Sequence, residues 1–573
     1  MYRAPADEIA FVLNHVAPGP EDGPDADLVA AVLGEAGRFA EGEVAPLADV
    51  GDQEGAKLAD GVVSTPEGWP DLYRRWREGG WNGLSLPEEW GGQGLPVTLG
   101  MAAHEMWNGA NMAFGLCPML TTGAVEALVQ HASPELQKKY LPKLVSGEWT
   151  GTMNLTEPHA GSDLGGVSTK AREEADGTFR VFGQKIYITF GEHDWTDNIV
   201  HLVLARIEGA PQGTKGISLF LVPKFLVEED GSLGARNDLV CAGIEHKLGI
   251  HGSPTCTMVY GNEGRGAVGW LVGERGRGLN AMFTMMNNAR LAVGMQGVAV
   301  ADAAFTKARR FAAERKQGRA AGSDGMAPII RHPDVQRMLL SMQGLTQAAR
   351  AICYLCARAL DAGEHDPAMR NRAGLLTPIA KAFGTDVGVD VASLGVQVHG
   401  GMGFVEETGA ARLYRDARIA PIYEGTNGIQ AIDLVSRKLP LEDGEHVRGF
   451  IAELRDTADA VRASNRPEFG ETAERLTEAL DALADTTGFL QAAVAEKRDG
   501  EWLAGATPYL RLFGLAAGGV LLARGALSSG DEKRAALARF FAENLVGETV
   551  ALAARVKNGA PSLNAASELL LDA

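Results

Sequence analysis

The stretch MNLTEPHAGSDLGGVSTKAREEADGTFRVFGQKIYITF, residues 153–190, decides the fold, because the pattern of apolar residues changes within it. Before it, segments such as PELQKKYLPKLVSGE (134–148) place apolar residues three or four apart, as in an α-helix. Within and after it, short runs rich in β-branched and aromatic residues alternate with turn formers such as Asp176-Gly177. The stretch therefore predicts a junction between a helical and a β domain.

The blocks on either side of this stretch give a four-part layout. Residues 1–152 carry the helical period, and residues 153–275 carry the short runs of an antiparallel sandwich or barrel. The helical period then returns, and long helices with short connections imply a bundle over residues 276–440. A last helical block covers residues 441–573. The fold class is therefore multidomain, with α and β parts.

Composition narrows the function classes. The chain has 573 residues, and 73 acidic against 54 basic side chains give a net charge of −19, which argues against a general nucleic-acid or anionic-membrane binder. Five cysteines are few and odd in number, so we expect a reducing, cytoplasmic location. The amino terminus lacks a secretory signal pattern. The apolar run LFGLAAGGVLLA (512–523) has only about 12 residues, which predicts a buried helix and no membrane span.

Three short patterns resemble known sites but lack the context that those sites need. GRGAVG (264–269) matches the dinucleotide fingerprint, but a predicted strand follows it instead of a helix. CYLC (353–356) lies in a periodic helix without a second cysteine pair, so both cysteines are interpreted as core residues. HE (104–105) lacks the second histidine of a metalloprotease motif. The sequence therefore predicts no metal site.

Two other segments carry polar residues in unusual settings. The junction loop MNLTEPHAGSDL (153–164) combines hydroxyls, glycines and a Glu-Pro break, which suit hydrogen bonds to a flat polar ligand and its phosphates. The second segment consists of two stretches, QVHGGMGF (397–404) and APIYEGTNGIQ (420–430). Glu424 lies there in an apolar neighbourhood, where desolvation would raise its pKa and make it a base near neutral pH. An alternative of equal weight is that Glu424 caps a helix beginning near Thr426.

Six segments, in order along the chain, are similar to motifs of the acyl-CoA dehydrogenase family. They are LSLPEEWGGQGLP (84–96), NLTEPHAGSDLGGVSTKA (154–171), KIYITFGEH (185–193), GWLVGERGRGLNAMF (269–283), QVHGGMGF (397–404) and IYEGTNGIQ (422–430). The length and the last helical block resemble the longer bacterial subgroup that includes 3-methylmercaptopropionyl-CoA dehydrogenase. The resemblance implies an N-terminal α-helical domain, a middle antiparallel β-barrel, a four-helix bundle and an extra helical C-terminal domain, with FAD between barrel and bundle.

The resemblance also implies the reaction. In this family a glutamate in a Tyr-Glu-Gly-Thr motif removes the α-proton of an acyl-CoA thioester, while the β-hydrogen leaves as hydride to FAD. Glu424 matches that glutamate, and the product would be a trans-2-enoyl-CoA. The substrate would be 3-methylthiopropionyl-CoA or a medium- or long-chain acyl-CoA, and the electrons would pass to an electron-transfer flavoprotein.

Residue by residue, the matches to the family's FAD contacts are Met153, Leu155, Thr156, Gly161, Ser162, Tyr187, Ile188, Thr189, Arg315, Gln397, Gly400, Gly401 and Thr426. The matches to its substrate-side positions are Ser162, Asn287, Arg290 and Gly425. Arg315 and residues 397–401 would reach the FAD of a neighbouring subunit. The resemblance therefore implies a homo-oligomer, which we expect to be a dimer.

Some positions depart from the family pattern. Arg315-Lys-Gln-Gly-Arg319 is one residue shorter than the usual Arg-x-x-Phe-Gly segment and lacks its aromatic residue, so Arg319 could take the role of Arg315. Asn287 stands where many relatives have aspartate, Gly428 where many have glutamine, and Tyr187 where tryptophan is common. These departures leave the adenosine contacts and the substrate preference open.

Two alternative functions remain. An acyl-CoA oxidase would let oxygen reach the reduced flavin, and the sequence pattern does not separate it from a dehydrogenase. A DNA-binding flavoprotein of the alkylation response would use its carboxy-terminal region, but residues 441–573 hold 21 acidic and 14 basic residues. Because a DNA-binding surface is usually basic, this block is interpreted instead as a cover for the apolar surface of the bundle.

Overall fold

The computed structural model describes residues 2–20 and 23–571, with the side chains of residues 285–287 outside that description. The chain is mostly helical with a β-rich middle part, and it forms two compact units. Unit 1 contains Arg38–Gly100 and Ala110–Ala289, and unit 2 contains Tyr2–Gly37, Met101–Gly109 and Arg290–Ala573.

The described α-helices lie mostly on either side of the β-rich part. They are α1 (Ala6–His15), α2 (Ala26–Phe39), α3 (Ala48–Glu54), α4 (Trp69–Glu78), α5 (Val97–His131), α6 (Pro134–Val145), α7 (Gly278–Glu314), α8 (Pro333–Gly363), α9 (Pro367–His399), α10 (Ala410–Ala417), α11 (Asn427–Asp433), α12 (Glu445–Ala463), α13 (Thr472–Ala495), α14 (Asp499–Ser529), α15 (Glu532–Asn544) and α16 (Glu548–Ser567). Helix α5 is interrupted at Asn111, where φ is −160°. Helices α5 and α7 contribute residues to both units.

The described strands are β1 (Lys57–Ala59), β2 (Val62–Ser64), β3 (Thr150–Asn154), β4 (Lys170–Glu173), β5 (Phe179–Thr189), β6 (Ile199–Ile207), β7 (Ile217–Pro223), β8 (Phe225–Val227), β9 (Leu233–Arg236), β10 (Leu239–Ile244), β11 (Thr255–Tyr260), β12 (Ala267–Val272), β13 (Lys316–Arg319) and β14 (Met326–Pro328). In unit 1 the strand pairs β5–β12, β12–β7, β7–β6, β6–β4 and β4–β5 close a ring. Strands β11 and β10 extend this barrel from β5, and β3 extends it from β6.

The prediction of an entirely antiparallel barrel is wrong for two pairs of strands. Both β3 and β4 run parallel to β6, while the other pairs of the barrel are antiparallel. Short turns force successive strands to be antiparallel, but strands joined by a longer crossover can pair in either direction. Since β5 lies between β4 and β6 in the chain, the parallel pairs need no tight turn.

The barrel core consists of side chains that are almost inaccessible to solvent. Phe179, Val181, Val203, Phe220 and Met258 belong to it, and each such side chain contributes about 1.5–3 kcal/mol on burial. Strand β6, with the sequence IVHLVLARI, is buried along nearly its whole length. A strand that is covered on both faces has a continuous apolar run instead of an alternating one, and this explains the pattern of β6.

In unit 2, α8 and α9 pack side by side, and α14 packs against both and against α11. The LFGLAAGGVLLA run lies in α14 and is buried, as predicted. By length and composition alone, α5 and α14 are both long and apolar enough to cross a membrane, so the short apolar run does not by itself exclude a span. Burial is the better criterion: 83% and 78% of their apolar windows lie inside the protein, as in core helices.

Candidate active site

Glu424 lies in the loop between α10 and α11 of unit 2, and its backbone is left-handed, with φ of 55°. Gly425 follows with φ of 81°. The loop is closed by a hydrogen bond from the Asn427 amide to the Pro421 carbonyl oxygen (3.0 Å) and by the Gln430 side-chain amide, which donates to the Glu424 carbonyl oxygen (3.4 Å). A left-handed non-glycine residue costs roughly 1–3 kcal/mol, and such residues cluster at functional sites. The surroundings must therefore hold Glu424 in place.

The first turn of α11 is capped by Thr426. Its Oγ1 accepts a hydrogen bond from the Ile429 amide (3.3 Å), which satisfies one of the N–H groups that a helix leaves free at its start. The alternative interpretation of Glu424 as the cap of this helix is therefore wrong. The Glu424 carboxylate is left for another role.

The Glu424 carboxyl group is crowded by protein atoms, although the residue as a whole is partly exposed. Burial raises the pKa of Glu424 above its ordinary value, while the positive charges of Arg290 and Lys381 act in the opposite direction. The Arg290 guanidinium group also lies 3.7 Å from the carboxylate of Asp433. A carboxylate with a raised pKa is a stronger base near neutral pH, so this arrangement suits the removal of a proton from a weakly acidic carbon.

Sequence reasoning missed Lys381 and Asn427, two further polar residues of this site. The Lys381 side chain is fully buried, and its Nζ donates to Asn427 Oδ1 (2.9 Å). A signal was present in PIAKAFGTD (378–386), where one lysine stands among small and apolar residues of a long helix. A buried charge needs a partner, so this lysine could have been singled out.

A chain of hydrogen bonds fixes the residue before Glu424. Tyr423 Oη donates to Gln296 Oε1, and Gln296 Nε2 donates to Asn108 Oδ1 (3.0 Å). The Asn108 amide donates to the His104 carbonyl oxygen (2.8 Å). Burial lowers the pKa of His104 to about 4, so this histidine is neutral at pH 7 and belongs to the packing of the site.

The junction loop of unit 1 is anchored by the buried carboxylate of Glu157. Its oxygens accept hydrogen bonds from Ser168, Thr169 and the Lys185 ammonium group at 2.6–3.0 Å. Burial alone would raise the pKa of Glu157, but the ion pair and the hydrogen bonds bring it down to about 2. Lys185 Nζ also donates to the Leu155 carbonyl oxygen (2.9 Å). One buried ion pair therefore holds the loop against β5.

The structure brings together the loop and strand residues of the predicted FAD site. The Ile186 amide donates to the Thr156 carbonyl oxygen (2.9 Å), and Thr152 Oγ1 donates to the Thr189 carbonyl oxygen (2.7 Å). Of the predicted contacts, Met153 and Ile188 are buried, Leu155, Thr156 and Thr189 are partly exposed, and Gly161, Ser162 and Tyr187 are exposed.

The exposed groups of this part fit a flat polar cofactor. Tyr187 is 61% exposed, and its backbone is left-handed with φ of 60°. Among the residues that the structure describes, none bonds the side-chain hydroxyls of Thr156, Ser162 or Thr189. An exposed aromatic ring can pack on a ring system, and uncommitted hydroxyls can hydrogen-bond its edge.

The residues expected to reach a neighbouring subunit are exposed on unit 2. They are Gln397, Gly400 and Gly401 at the end of α9, and Arg315 just after α7. The ring of Phe311 stacks on that of His399 with centroids 4.5 Å apart, which brings these two helix ends together. Arg319, in β13, is exposed as well.

Two of the predicted substrate-side residues lie beside the candidate base. A Cβ atom on Gly425 would lie 3.9 Å from Arg290 Nη2, and Arg290 is only 7% exposed. Ser162 lies in the junction loop of unit 1. The side chain of Asn287 is outside the described part of the chain.

The patterns that sequence reasoning set aside have structural roles. GRGAVG (264–269) leads into β12, a strand, as expected. Cys353 and Cys356 are free, buried residues of α8. Glu105 forms a buried ion pair with Arg350 (2.6 Å). Within residues 2–20 and 23–571, no group of three or more His, Cys, Asp or Glu side chains is placed to hold a metal ion.

Four family models match successive parts of the chain. The acyl-CoA dehydrogenase N-terminal domain matches residues 30–148, the middle domain matches residues 152–262, and the C-terminal domain matches residues 276–439. A fourth model, described as acetyl-CoA dehydrogenase C-terminal like, matches residues 450–567.

Individual proteins match over most of their length. A 3-methylmercaptopropionyl-CoA dehydrogenase from Ruegeria pomeroyi is 44% identical over 99% of this chain and 100% of its own. The broad-specificity linear acyl-CoA dehydrogenase FadE5 from Mycobacterium tuberculosis is 36% identical over 82% of this chain and 79% of its own. The crystal structure of an acyl-CoA dehydrogenase from Bacillus anthracis, complexed with FAD, shares the fold with a TM-score of 0.74 at 23% identity, over 97% of this chain and 92% of that one. The chain therefore belongs to the acyl-CoA dehydrogenase family, in the subgroup of 3-methylmercaptopropionyl-CoA dehydrogenase, and is an oxidoreductase.

Proposed function

We propose that this chain converts an acyl-CoA thioester to the trans-2-enoyl-CoA, with Glu424 as the base that removes the α-proton. The observation that carries the proposal is the state of the Glu424 carboxyl group. It is crowded by protein atoms, its pKa is raised, and it lies on a strained loop near two cations. A glutamate with only a structural role would not need this combination.

FAD is the cofactor, and when bound it accepts the β-hydrogen of the substrate as a hydride. The residues of this chain carry out the proton transfer. Removal of the α-proton leaves negative charge on the thioester carbonyl oxygen, which a hydrogen-bond donor must stabilise. We assign this task to the Glu424 backbone amide, which donates to no other residue in the described part of the chain. The base and the donor would then belong to one residue.

The proposed FAD contacts follow the matches to the family motifs. In unit 1, Tyr187 would pack on the ring system, and Thr156 and Thr189 would hydrogen-bond its edge. The remaining proposed contacts are Met153, Leu155, Gly161, Ser162, Ile188 and Thr426. Arg315, Gln397, Gly400 and Gly401 would serve the FAD of a second subunit, which makes a homodimer part of the proposal.

The proposed substrate is 3-methylthiopropionyl-CoA. Support comes from the Ruegeria pomeroyi relative, which matches nearly the whole chain and carries that substrate in its name. A medium- or long-chain acyl-CoA is the second candidate, because FadE5 is described as a broad-specificity linear acyl-CoA dehydrogenase. We further propose a cytoplasmic location and an electron-transfer flavoprotein as the electron acceptor.

The test is anaerobic bleaching of the bound flavin. The FAD-loaded protein is mixed with acyl-CoA thioesters from C4 to C16 and with 3-methylthiopropionyl-CoA. Glu424→Gln should keep the flavin absorbance and slow bleaching by roughly 10²–10⁴-fold. Glu474→Gln, at an exposed position in the first turn of α13, is the matched control and should bleach normally.

Two results would contradict the proposal. Normal bleaching by the Glu424→Gln protein would remove Glu424 from the role of base. Rapid release of hydrogen peroxide under air, without an added acceptor, would identify an oxidase instead of a dehydrogenase.

A further inference from the structure

The residue with the least expected position in unit 2 is Lys381 of α9. Its side chain has no exposed surface, and the ammonium group donates to Asn427 Oδ1 (2.9 Å). An ammonium group carries three donors, and this is the one hydrogen bond that the described residues give it. Helices that pack as closely as α7 and α9 leave little room for a charge, since a Cβ atom on Gly294 would lie 2.5 Å from the Ala380 carbonyl oxygen.

The partner of Lys381 is itself fixed by α9. Asn427 Nδ2 donates to Asp386 Oδ1 (2.7 Å), to Thr385 Oγ1 (3.0 Å) and to the Ala382 carbonyl oxygen (3.2 Å). The Asn427 backbone amide closes the loop that carries Glu424. The position of the base is therefore linked through one asparagine to a cation and a carboxyl group on a neighbouring helix.

The charges around Lys381 point to Glu424 as its counter-ion. The groups that face Lys381 are Glu424, Asp386 and Arg290. The Asp386 carboxylate accepts a hydrogen bond from the Asn427 side-chain amide (2.7 Å), so it is already engaged by the partner of Lys381. A buried ammonium ion is costly unless an anion lies near it, and of the two carboxylates Glu424 has the larger effect on Lys381.

The other cation near the base has a second partner. Arg290 lies 3.7 Å from Asp433, which also pairs with Arg437 (2.7 Å). The Tyr423 hydroxyl donates to Gln296 Oε1, and burial raises the pKa of Tyr423 well above its ordinary value, so Tyr423 is neutral. Burial lowers the pKa of Lys381 to about 7, so below that pH Lys381 carries the charge that favours an ionised base.

We propose that Lys381 is a positioning residue for the base: it holds Asn427, and with it the Glu424 loop, and its charge offsets the desolvation of the Glu424 carboxylate. The inference rests on the proposed role of Glu424. It explains why a charged residue occupies a fully buried position of α9, where a leucine or methionine of similar size would avoid the cost of burying a charge.

The test is the pH dependence of flavin bleaching in FAD-loaded protein with the best acyl-CoA substrate. Lys381→Met removes both the charge and the hydrogen bond, Lys381→Gln keeps a donor for Asn427 without the charge, and Lys381→Arg keeps the charge. Loss of the cation raises the pKa of Glu424, so a higher pH is needed to ionise the base. For the Lys381→Met and Lys381→Gln variants we expect about a tenfold loss of rate at pH 6, where Lys381 of the unchanged protein is charged. The rate should recover at higher pH, because the acid limb of the pH profile moves upward. The pH profile of the Lys381→Arg variant should stay close to that of the unchanged protein.

The proposal would be overturned if the acid limb of the pH profile lay at the same pH in Lys381→Met and Lys381→Gln as in the unchanged protein. A uniform fall of the rate at all pH values would not rescue it. Flavin content and the unfolding midpoint are measured on each variant, and if Lys381→Met does not fold, Lys381→Gln decides alone. Failure of the proposed function is distinguished by Glu424→Gln, because that variant tests the base without changing Lys381.

Discussion

Gly425, the residue after the proposed base, has little free space around it. Its φ of 81° lies where side chains are strained, and a Cβ atom would come within 2.9 Å of Gln430 Nε2. We expect Gly425→Ala to lower the free energy of unfolding by about 1–2 kcal/mol. The rate of flavin bleaching should fall by about tenfold or more, because a shift of the loop moves Glu424. Denaturant unfolding and stopped-flow absorbance measure the two effects.

Gly428 is the matched control for that substitution, because it lies three residues further on, inside α11. A Cβ atom there would meet nothing closer than Thr426 Oγ1 at 3.8 Å. Since alanine is a better helix former than glycine, Gly428→Ala should leave bleaching unchanged and raise stability by up to about 1 kcal/mol. Equal effects of the two substitutions would contradict the argument from backbone strain.

The motif singles out Glu424 as the proposed base, but most of the electrostatic surroundings of Glu424 could not be predicted from the sequence. Arg290 and Lys381 lie far from Glu424 in the chain, on α7 and α9, and only the packing of those helices places them beside it. The apolar residues on either side of Glu424 are visible in the sequence, so the sequence predicted that the pKa of Glu424 is raised. Of the two cations that oppose the shift, Arg290 was among the predicted substrate-side residues, whereas Lys381 was missed.

At the scale of the element, the junction loop depends on the ion pair between Glu157 and Lys185. Removal of one partner leaves a buried charge without compensation. We expect Lys185→Met to lower the free energy of unfolding by about 3 kcal/mol and to weaken FAD binding, because Lys185 also holds the Leu155 carbonyl oxygen. Flavin release during dilution and denaturant unfolding measure these effects.

Two variants control for this prediction. Lys170→Met, on the exposed side of β4, should change neither the free energy of unfolding nor the binding of FAD. The double variant Glu157→Gln with Lys185→Met should be more stable than Lys185→Met alone, since it removes the uncompensated charge. If the double variant were the less stable of the two, the loop would depend on something other than this pair.

The same pair predicts a pH dependence. The pKa of Glu157 is lowered to about 2 in the folded chain, so its contribution to stability is complete above the ordinary glutamate pKa and is lost as the pH falls toward 2. The difference in unfolding free energy between the unchanged protein and Glu157→Gln should therefore shrink on acidification from pH 6 to pH 3. A constant difference over that range would show that the carboxylate charge is not what matters.

The strands themselves could be predicted from alternating and β-branched runs, whereas their directions could not. FRVFGQKIYITF became β5, and NIVHLVLARI became β6. The parallel pairing of β3 and β4 with β6 depends on which strands become neighbours in the closed barrel, and periodicity within one strand contains no such information.

At the scale of the whole molecule, the carboxy-terminal helices pack on α9, which carries Lys381, and on α11, which follows the Glu424 loop. Helix α14 contacts α8, α9 and α11, and two glycines allow the close approach. A Cβ atom on Gly514 would lie 2.3 Å from the ring of Phe383 in α9, and one on Gly518 would lie 2.7 Å from Ala348 in α8. The sequence predicted a buried helix here and a cover for the bundle. The sequence could not show which helices Gly514 and Gly518 contact.

We therefore expect Gly514→Ala to disturb the site from a distance. The added methyl group must displace Phe383, two residues after Lys381, and overpacking of this kind costs about 1–3 kcal/mol, more than the gain in helix propensity. The unfolding midpoint should fall, and flavin bleaching should slow although no residue near the substrate has changed. Gly500→Ala, at the exposed start of the same helix, where the nearest atom is Asn564 Nδ2 at 3.7 Å, should be neutral or stabilising. If the Gly514→Ala protein had unchanged stability and normal bleaching, the packing of α14 on α9 and α11 would not control the position of Glu424.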